Sequence, residues 1–324
     1  MKIVFFGLEK AEQSLFLNSF DNAEVSFFDE KLDENNVDKA KDAEIISVFV
    51  NSEVNKTVID AMPNLKFIAT RATGYDNIDC EYAKSKGIVV SNVPAYGSHT
   101  VAEFAFTLIL SLSRNIINAN NYIRQSQDFH YSDPMQGFNL EGRTLGVIGT
   151  GKIGKNVVKI AKGFDMNVIA YDLYPDEAFA KDIDFNYKSL PELLTESDII
   201  TLHAPGTKEN HHLINKESIS QMKKGVYIVN TARGELIDTI ALLEGLKEGI
   251  IAGAGLDVLE DEKNLKENKN EGMNNANHEL MKMPNVIITP HIAFYTREAV
   301  AEILKITAEN IKNFISASPK NLVN

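Results

Sequence analysis

Short β-rich apolar runs at residues 2–7, 25–28, 44–50, 65–70 and 88–93 alternate with longer polar segments of helix-compatible composition. That alternation predicts parallel strands covered by helices. Residues 100–114 follow, apolar on nearly every side except at Glu103. A helix with no polar face is expected to be buried. A second alternating block opens at Thr144, with strands predicted at 144–148, 167–171, 199–203, 226–230, 253–258 and 286–289. Six strands with helices between them fit a doubly wound nucleotide-binding sheet, so the fold class is α/β with two parallel-sheet domains. Residues 263–279 are rich in Asn, Lys and Glu and predict a long surface loop. A last helix is expected from Thr296, a good N-cap, with Val300, Ile303, Thr307, Ile311 and Ile315 on one face.

Length and composition narrow this picture. A chain of 324 residues exceeds a typical single core, which favours two domains. A net charge of −12 opposes a nucleic-acid or anionic-membrane partner, either of which needs a basic face. Cys80 is the only cysteine, so no intrachain disulfide forms and a Cys-based zinc site is excluded; no metal site is expected. The apolar run before Gly7 is too short for a signal-peptide core, and the stretch at 101–112 is interrupted by Glu103, Thr107 and Ser111. The expected location is cytoplasmic.

Residues 149–154 read GTGKIG. This pattern is weak alone, but a predicted strand precedes it, a helix follows, and the next strand ends on Asp172 near the usual offset of about 20 residues. Gly149 permits a tight turn, Gly151 lets backbone approach a pyrophosphate, and Gly154 allows close packing of helix on strand. The amides of Lys152 and Ile153 would face the pyrophosphate from the helix N-terminus. Asp172 would accept hydrogen bonds from the ribose hydroxyls and repel a 2′-phosphate, which favours NAD over NADP.

Three predicted strand ends in this block present Arg233, Glu262 and His291, about one strand–helix unit apart. Ligands in open α/β sheets bind at that edge. The set suits reduction of a keto acid. A histidine supplies the proton to the developing alkoxide, a carboxylate beside it favours the charged imidazolium, and a guanidinium holds oxygens in a fixed fork. Each residue also has a plain alternative: a structural histidine after Pro290, an arginine in a surface turn, a glutamate in a solvated acidic run. Spacing alone does not show that the three meet.

The segments RATGYDNID (71–79), NVPAYGSHTVAE (92–103), GVIGTGKIG (146–154), LHAPGT (202–207), VNTARGELID (229–238), GAGLDVLEDE (253–262) and ITPHIAFYT (288–296) together resemble the D-isomer-specific 2-hydroxyacid dehydrogenases. Ala293-Phe294-Tyr295 after the histidine is most like the D-lactate dehydrogenase branch. The resemblance implies a Rossmann NAD domain, residues 99–293, inserted into a flavodoxin-like substrate domain made of residues 1–98 and 294–324. It implies His291 as general acid–base, Glu262 as its tuning partner, and Arg233 on the substrate carboxylate. Gly149, Gly151, Lys152, Ile153, Gly154, Asp172, His203, Ala204, Pro205, Asn210, Thr231, Ala232 and Asp257 would contact NAD. Thr73, Gly74, Tyr96 and Phe294 would bind substrate. The implied partners are a small 2-keto or 2-hydroxy acid and a second copy of the chain. Bulkier keto acids, glyoxylate and hydroxypyruvate remain alternative substrates, and an NAD-responsive corepressor is an alternative of another class.

Overall fold

The computed structural model describes the whole chain except residues 18, 21, 95, 132–134, 263–264 and 266–272. The chain forms two compact units. The first is Met1–Tyr96 with Thr296–Asn324, and the second is Gly97–Tyr295.

The first unit holds a five-stranded parallel sheet in the order β2-β1-β3-β4-β5. Its strands are β1 (Lys2–Phe6), β2 (Glu24–Phe28), β3 (Ile45–Val48), β4 (Phe67–Thr70) and β5 (Val89–Ser91). Strands β3 and β4 are buried along their whole length, as a sheet covered on both faces requires. The covering includes the C-terminal helix Arg297–Ile315, whose Thr296 side chain accepts a hydrogen bond from Ala299 N at 3.2 Å. Ile303, Thr307 and Ile311 of that helix are buried, and Phe314 stacks on Phe67 with ring centroids 4.3 Å apart. Ile315, expected on the same face, is instead exposed, because the helix ends there and runs past the sheet.

The second unit holds seven parallel strands in the order β12-β11-β10-β9-β6-β7-β8. They are β6 (Thr144–Ile148), β7 (Asn167–Tyr171), β8 (Asn186–Tyr187), β9 (Ile199–Leu202), β10 (Val226–Asn230), β11 (Ile251–Leu256) and β12 (Val286–Ile288). The sequence pattern predicts six. The extra strand, β8, has two residues and sits at the edge, too short for any period to register. The order reverses between β6 and β9, which creates the crevice where such sheets bind ligands.

Helix Ser98–Ser113 buries Ala102, Ala105, Phe106, Leu108, Ile109 and Leu112, as its all-round apolar sequence predicts. It lies so close to β11 that a Cβ on Gly255 would sit 3.0 Å from Leu108 Cβ. The predicted 263–279 loop needs correction. Met273–Lys282 is a helix, with Ala276, Asn277 and Leu280 buried. Among the described side chains two buried apolar residues, Ala276 and Leu280, anchor it among Asn, His and Glu, so its period was too faint to read. Most of the rest of that segment lies outside the described residues.

Candidate active site

The glycine turn is built as its sequence demands. Gly149 has φ +93°, and a Cβ there would meet the His203–Ala204 backbone at 2.7–2.8 Å. A Cβ on Gly154 would sit 2.0 Å from Gly149 O, so the helix Lys152–Gly163 can pack on the turn only with glycine there. Gly151, the N-cap of that helix, is different: a Cβ added to it meets nothing within 4 Å. No side chain among the described residues caps the helix start, so the first amides, including those of Lys152 and Ile153, are left for a ligand or solvent to satisfy. An anionic group fits there without displacing protein.

Asp172 ends up in a tighter network than its sequence position implied. Its Oδ2 accepts from Thr150 N at 2.6 Å and from Thr150 Oγ1 at 2.9 Å, and its Oδ1 accepts from Tyr174 N at 2.9 Å. Thr150 Oγ1 also meets Tyr187 Oη at 2.8 Å. The carboxylate therefore braces the glycine turn from the neighbouring strand. With roughly four lone-pair sites, it keeps capacity for one more donor. Thr150 was not singled out from sequence, since a threonine inside a glycine motif looks like filler.

At the ends of β9 and β10, two buried polar atoms have no hydrogen-bond partner among the described residues: His203 Nδ1 and Thr231 Oγ1. His203 Nε2 lies 2.9 Å from Thr201 Oγ1. Burial pushes the His203 imidazole down to about 3, so the ring is neutral and has a nitrogen unspent. Orphaned buried polar groups at a sheet's C-terminal edge are what a polar ligand would satisfy. Ala204 and Pro205 follow on the same segment, and Asn210 Nδ2 donates back to Pro205 O at 3.0 Å, closing the loop. The glycine turn, the open helix start and these orphans together fit a dinucleotide.

Strands β10, β11 and β12 are neighbours, so the segments leaving their ends lie side by side. Arg233 leaves β10. The Asn230 side chain clamps its loop, accepting from Ala232 N at 2.9 Å and donating to Arg233 O at 2.8 Å. Gly234 is obligatory, since a Cβ would lie 2.1 Å from the Leu259 carbonyl. Asn230 and Gly234 were both missed in the sequence. A buried asparagine ending an apolar strand was the available signal.

Glu262 and His291 come together. Nδ1 of His291 lies 3.1 and 3.2 Å from the two Glu262 carboxylate oxygens. Both side chains are partly open, at 30% for His291 and 26% for Glu262. His291 has φ +58°, in the left-handed region that costs a non-glycine residue energy. Asp257 holds it there. That carboxylate, 1% exposed, accepts from Thr289 Oγ1 at 2.6 Å, Ile292 N at 2.9 Å and Ala293 N at 2.8 Å. Its carbonyl accepts from His291 N at 2.9 Å. Phe294 packs edge-on against Tyr295 just beyond this turn.

Thr73, Gly74 and Tyr96 belong to the first unit. Thr73 Oγ1 donates to Val93 O at 2.9 Å, and Asn92 Nδ2 donates to Thr73 O at 2.7 Å, which ties their loop to the segment after β5.

Residues 106–293 match the family described as D-isomer specific 2-hydroxyacid dehydrogenase, NAD binding domain. The chain is 45% identical over 287 residues to an aromatic 2-oxoacid reductase of Clostridium sporogenes, covering 85% of this chain and 84% of that one. It is 38% identical over 321 residues to D-lactate dehydrogenase of Escherichia coli, covering 97% and 96%. Among solved structures it is similar to D-lactate dehydrogenase from Aquifex aeolicus complexed with NAD and lactic acid. That likeness has a TM-score of 0.90 at 38% identity and covers 98% of this chain and 96% of the other.

Proposed function

The chain belongs to the D-isomer specific 2-hydroxyacid dehydrogenases, NAD-dependent oxidoreductases, and from that premise we propose that it reduces pyruvate to D-lactate. The observation that carries the site assignment is the Glu262–His291 pair. When bound, NADH supplies the hydride, which leaves negative charge on the substrate oxygen. His291 gives that oxygen a proton from Nε2, since Nδ1 is turned to Glu262. Glu262 fixes the tautomer and the orientation of the ring. Arg233, on the adjacent strand end, holds the substrate carboxylate through its fork of donors. His203 is neutral and supplies no proton; it offers Nδ1 to the cofactor. Gly151, Lys152 and Ile153 take the pyrophosphate and Asp172 the ribose.

Two further assignments belong to this reading. The first is a homodimer. Helix Ile116–Ser126 exposes Ile116, Ile117 and Ile123, and beyond it Phe129 and Tyr131 are 89% and 95% exposed. Such an apolar run favours covering by a second copy; light scattering at twice the chain mass supports it, and a monomer refutes it. The second is operation in the cytoplasm, in keeping with a lone cysteine. Among the described residues no single helix is long and apolar enough to cross a membrane.

A second reading, reduction of an aromatic 2-keto acid, is favoured by the 45% identity to the aromatic 2-oxoacid reductase. NADH oxidation with pyruvate and phenylpyruvate, NADPH in parallel, and the reverse reaction with each lactate enantiomer separate the two. Pyruvate preferred, NADH preferred and D-lactate alone oxidised is the expected result. Phenylpyruvate far ahead of pyruvate would replace the substrate and keep the chemistry.

A further inference from the structure

We propose that His211, His212 and Glu260 form a binding site for a Zn2+-class divalent cation. One donor atom from each lies within 4.8 Å of the others. Adjacent residues in extended chain point opposite ways, which would part the two imidazoles. Here His212 has φ +51°, and the rings lie on the same side with centroids 3.9 Å apart. The turn that does this is fixed by His212 N donating to Glu235 O at 2.9 Å and by Asn215 Nδ2 donating to His212 O at 2.9 Å.

The carboxylate is equally well placed. Glu260 Oε1 lies 2.6 Å from His212 Nε2. Its Oε2 accepts from Thr239 N at 3.3 Å and Thr239 Oγ1 at 3.0 Å, and its carbonyl accepts from Asn277 Nδ2 at 2.9 Å. On its other nitrogen, His212 Nδ1 stands 4.0 Å from Asp238 Oδ2. That is beyond hydrogen-bond distance, so Asp238 places a negative charge near the ring without bonding to it. Bonds of about 2.0–2.1 Å at tetrahedral angles separate donors by about 3.3 Å. The Nε2–Oε1 gap therefore opens by well under 1 Å when the cation replaces their hydrogen bond. Two imidazoles and one carboxylate select Zn2+, Co2+ or Ni2+ over Mg2+ and Ca2+. His211 is exposed, which leaves water the fourth position.

The cation ties together the segment after β9, the start of helix Thr239–Lys247 and the segment after β11. The site is separate from the Glu262–His291 pair, and its binding is read without turnover. The test titrates the whole enzyme with Co2+, followed by its visible ligand-field absorption, with Zn2+ as competitor and the thermal midpoint measured in parallel. One equivalent per chain, displaced by Zn2+, with a raised midpoint, is expected. His211→Gln, an exposed change, should keep the metal-free midpoint and weaken binding about tenfold or more. His130→Gln, which alters another exposed histidine beside a carboxylate, Asp128, should bind as the parent does. No saturable absorption, undiminished binding in His211→Gln, or lost binding in His130→Gln would each overturn the proposal.

Discussion

The two parallel sheets of this chain treat their C-terminal strand edges in opposite ways. In the first, the charge at the edge is turned inward. Arg71, 2% exposed, donates to Phe6 O at 2.6 Å, Gly7 O at 2.7 Å and Ser47 Oγ at 3.0 Å. Burial lowers its guanidinium to about 10, and three of its donors go to the ends of β1 and β3. In the second, the charged groups stay partly open and meet each other, as Glu262 and His291 do. A neutral His203 keeps a nitrogen unspent, and a helix start stands uncapped behind Gly151. Both edges leave buried hydroxyls unpartnered, Thr70 and Ser91 in one and Thr231 in the other. Charge and strain set the edges apart: one is a structural clamp, and the other holds a histidine at φ +58° in reach of solvent. Two sheets of one class can thus divide the labour, because site chemistry depends on a few strand-end residues and not on the layers beneath.

The comparison can be attacked where it predicts most. His291→Ala removes the only proton donor proposed for the second edge, and reduction should fall about 10²–10⁴-fold with the fold unchanged. Steady-state rates alongside circular dichroism test this, and near-parent turnover would end the assignment. Next comes Gly151→Val. A Cβ there meets nothing within 4 Å, so the thermal midpoint should hold while NADH binding weakens about tenfold or more, some 1.4 kcal/mol. Calorimetric titration reads both; unchanged affinity would mean that the helix start does not face the cofactor.

Arg71→Met probes the other edge. Losing three buried hydrogen bonds should cost about 2–3 kcal/mol of stability, measured by denaturant unfolding. A loss of turnover with unchanged stability would mean that the clamp is a site after all. The last effect, confined to acid pH, concerns His203. Its folded-state value, about 3, lies below the ordinary 6.5, so the unfolded chain binds the extra proton between those limits. Stability is therefore undiminished above pH 6.5 and falls as pH drops toward 3. His203→Gln should flatten that acid limb in unfolding curves recorded across the range. An unaltered limb would show the ring to be accessible to protons.

Much of this was legible in the chain itself. The strands of both sheets are read from apolar runs because a sheet covered on both faces leaves no other pattern, and β6, β7 and β10 begin and end where predicted. The glycine turn was readable too, because Gly154 answers to Gly149 on the same turn and Gly149 takes a positive φ, although the His203–Ala204 backbone that also crowds Gly149 comes from a distant strand end. Helix Met273–Lys282 and strand β8 were not, being too short or too polar for their periods to register.

What folding alone decided is which distant residues meet. Arg233, Glu262 and His291 stood in the sequence as three separate possibilities, each with an ordinary structural explanation. Pairing β10 with β11 and β11 with β12 set their segments side by side and put His291 Nδ1 3.1 Å from Glu262. The same holds for His212 and Glu260, 48 residues apart and joined by a 2.6 Å contact that no spacing rule foretells. Local structure follows from short-range sterics and the burial of apolar side chains, which each stretch of chain carries with it. Side-chain encounters across strand ends follow from sheet order, and sheet order exists only once the whole core has packed.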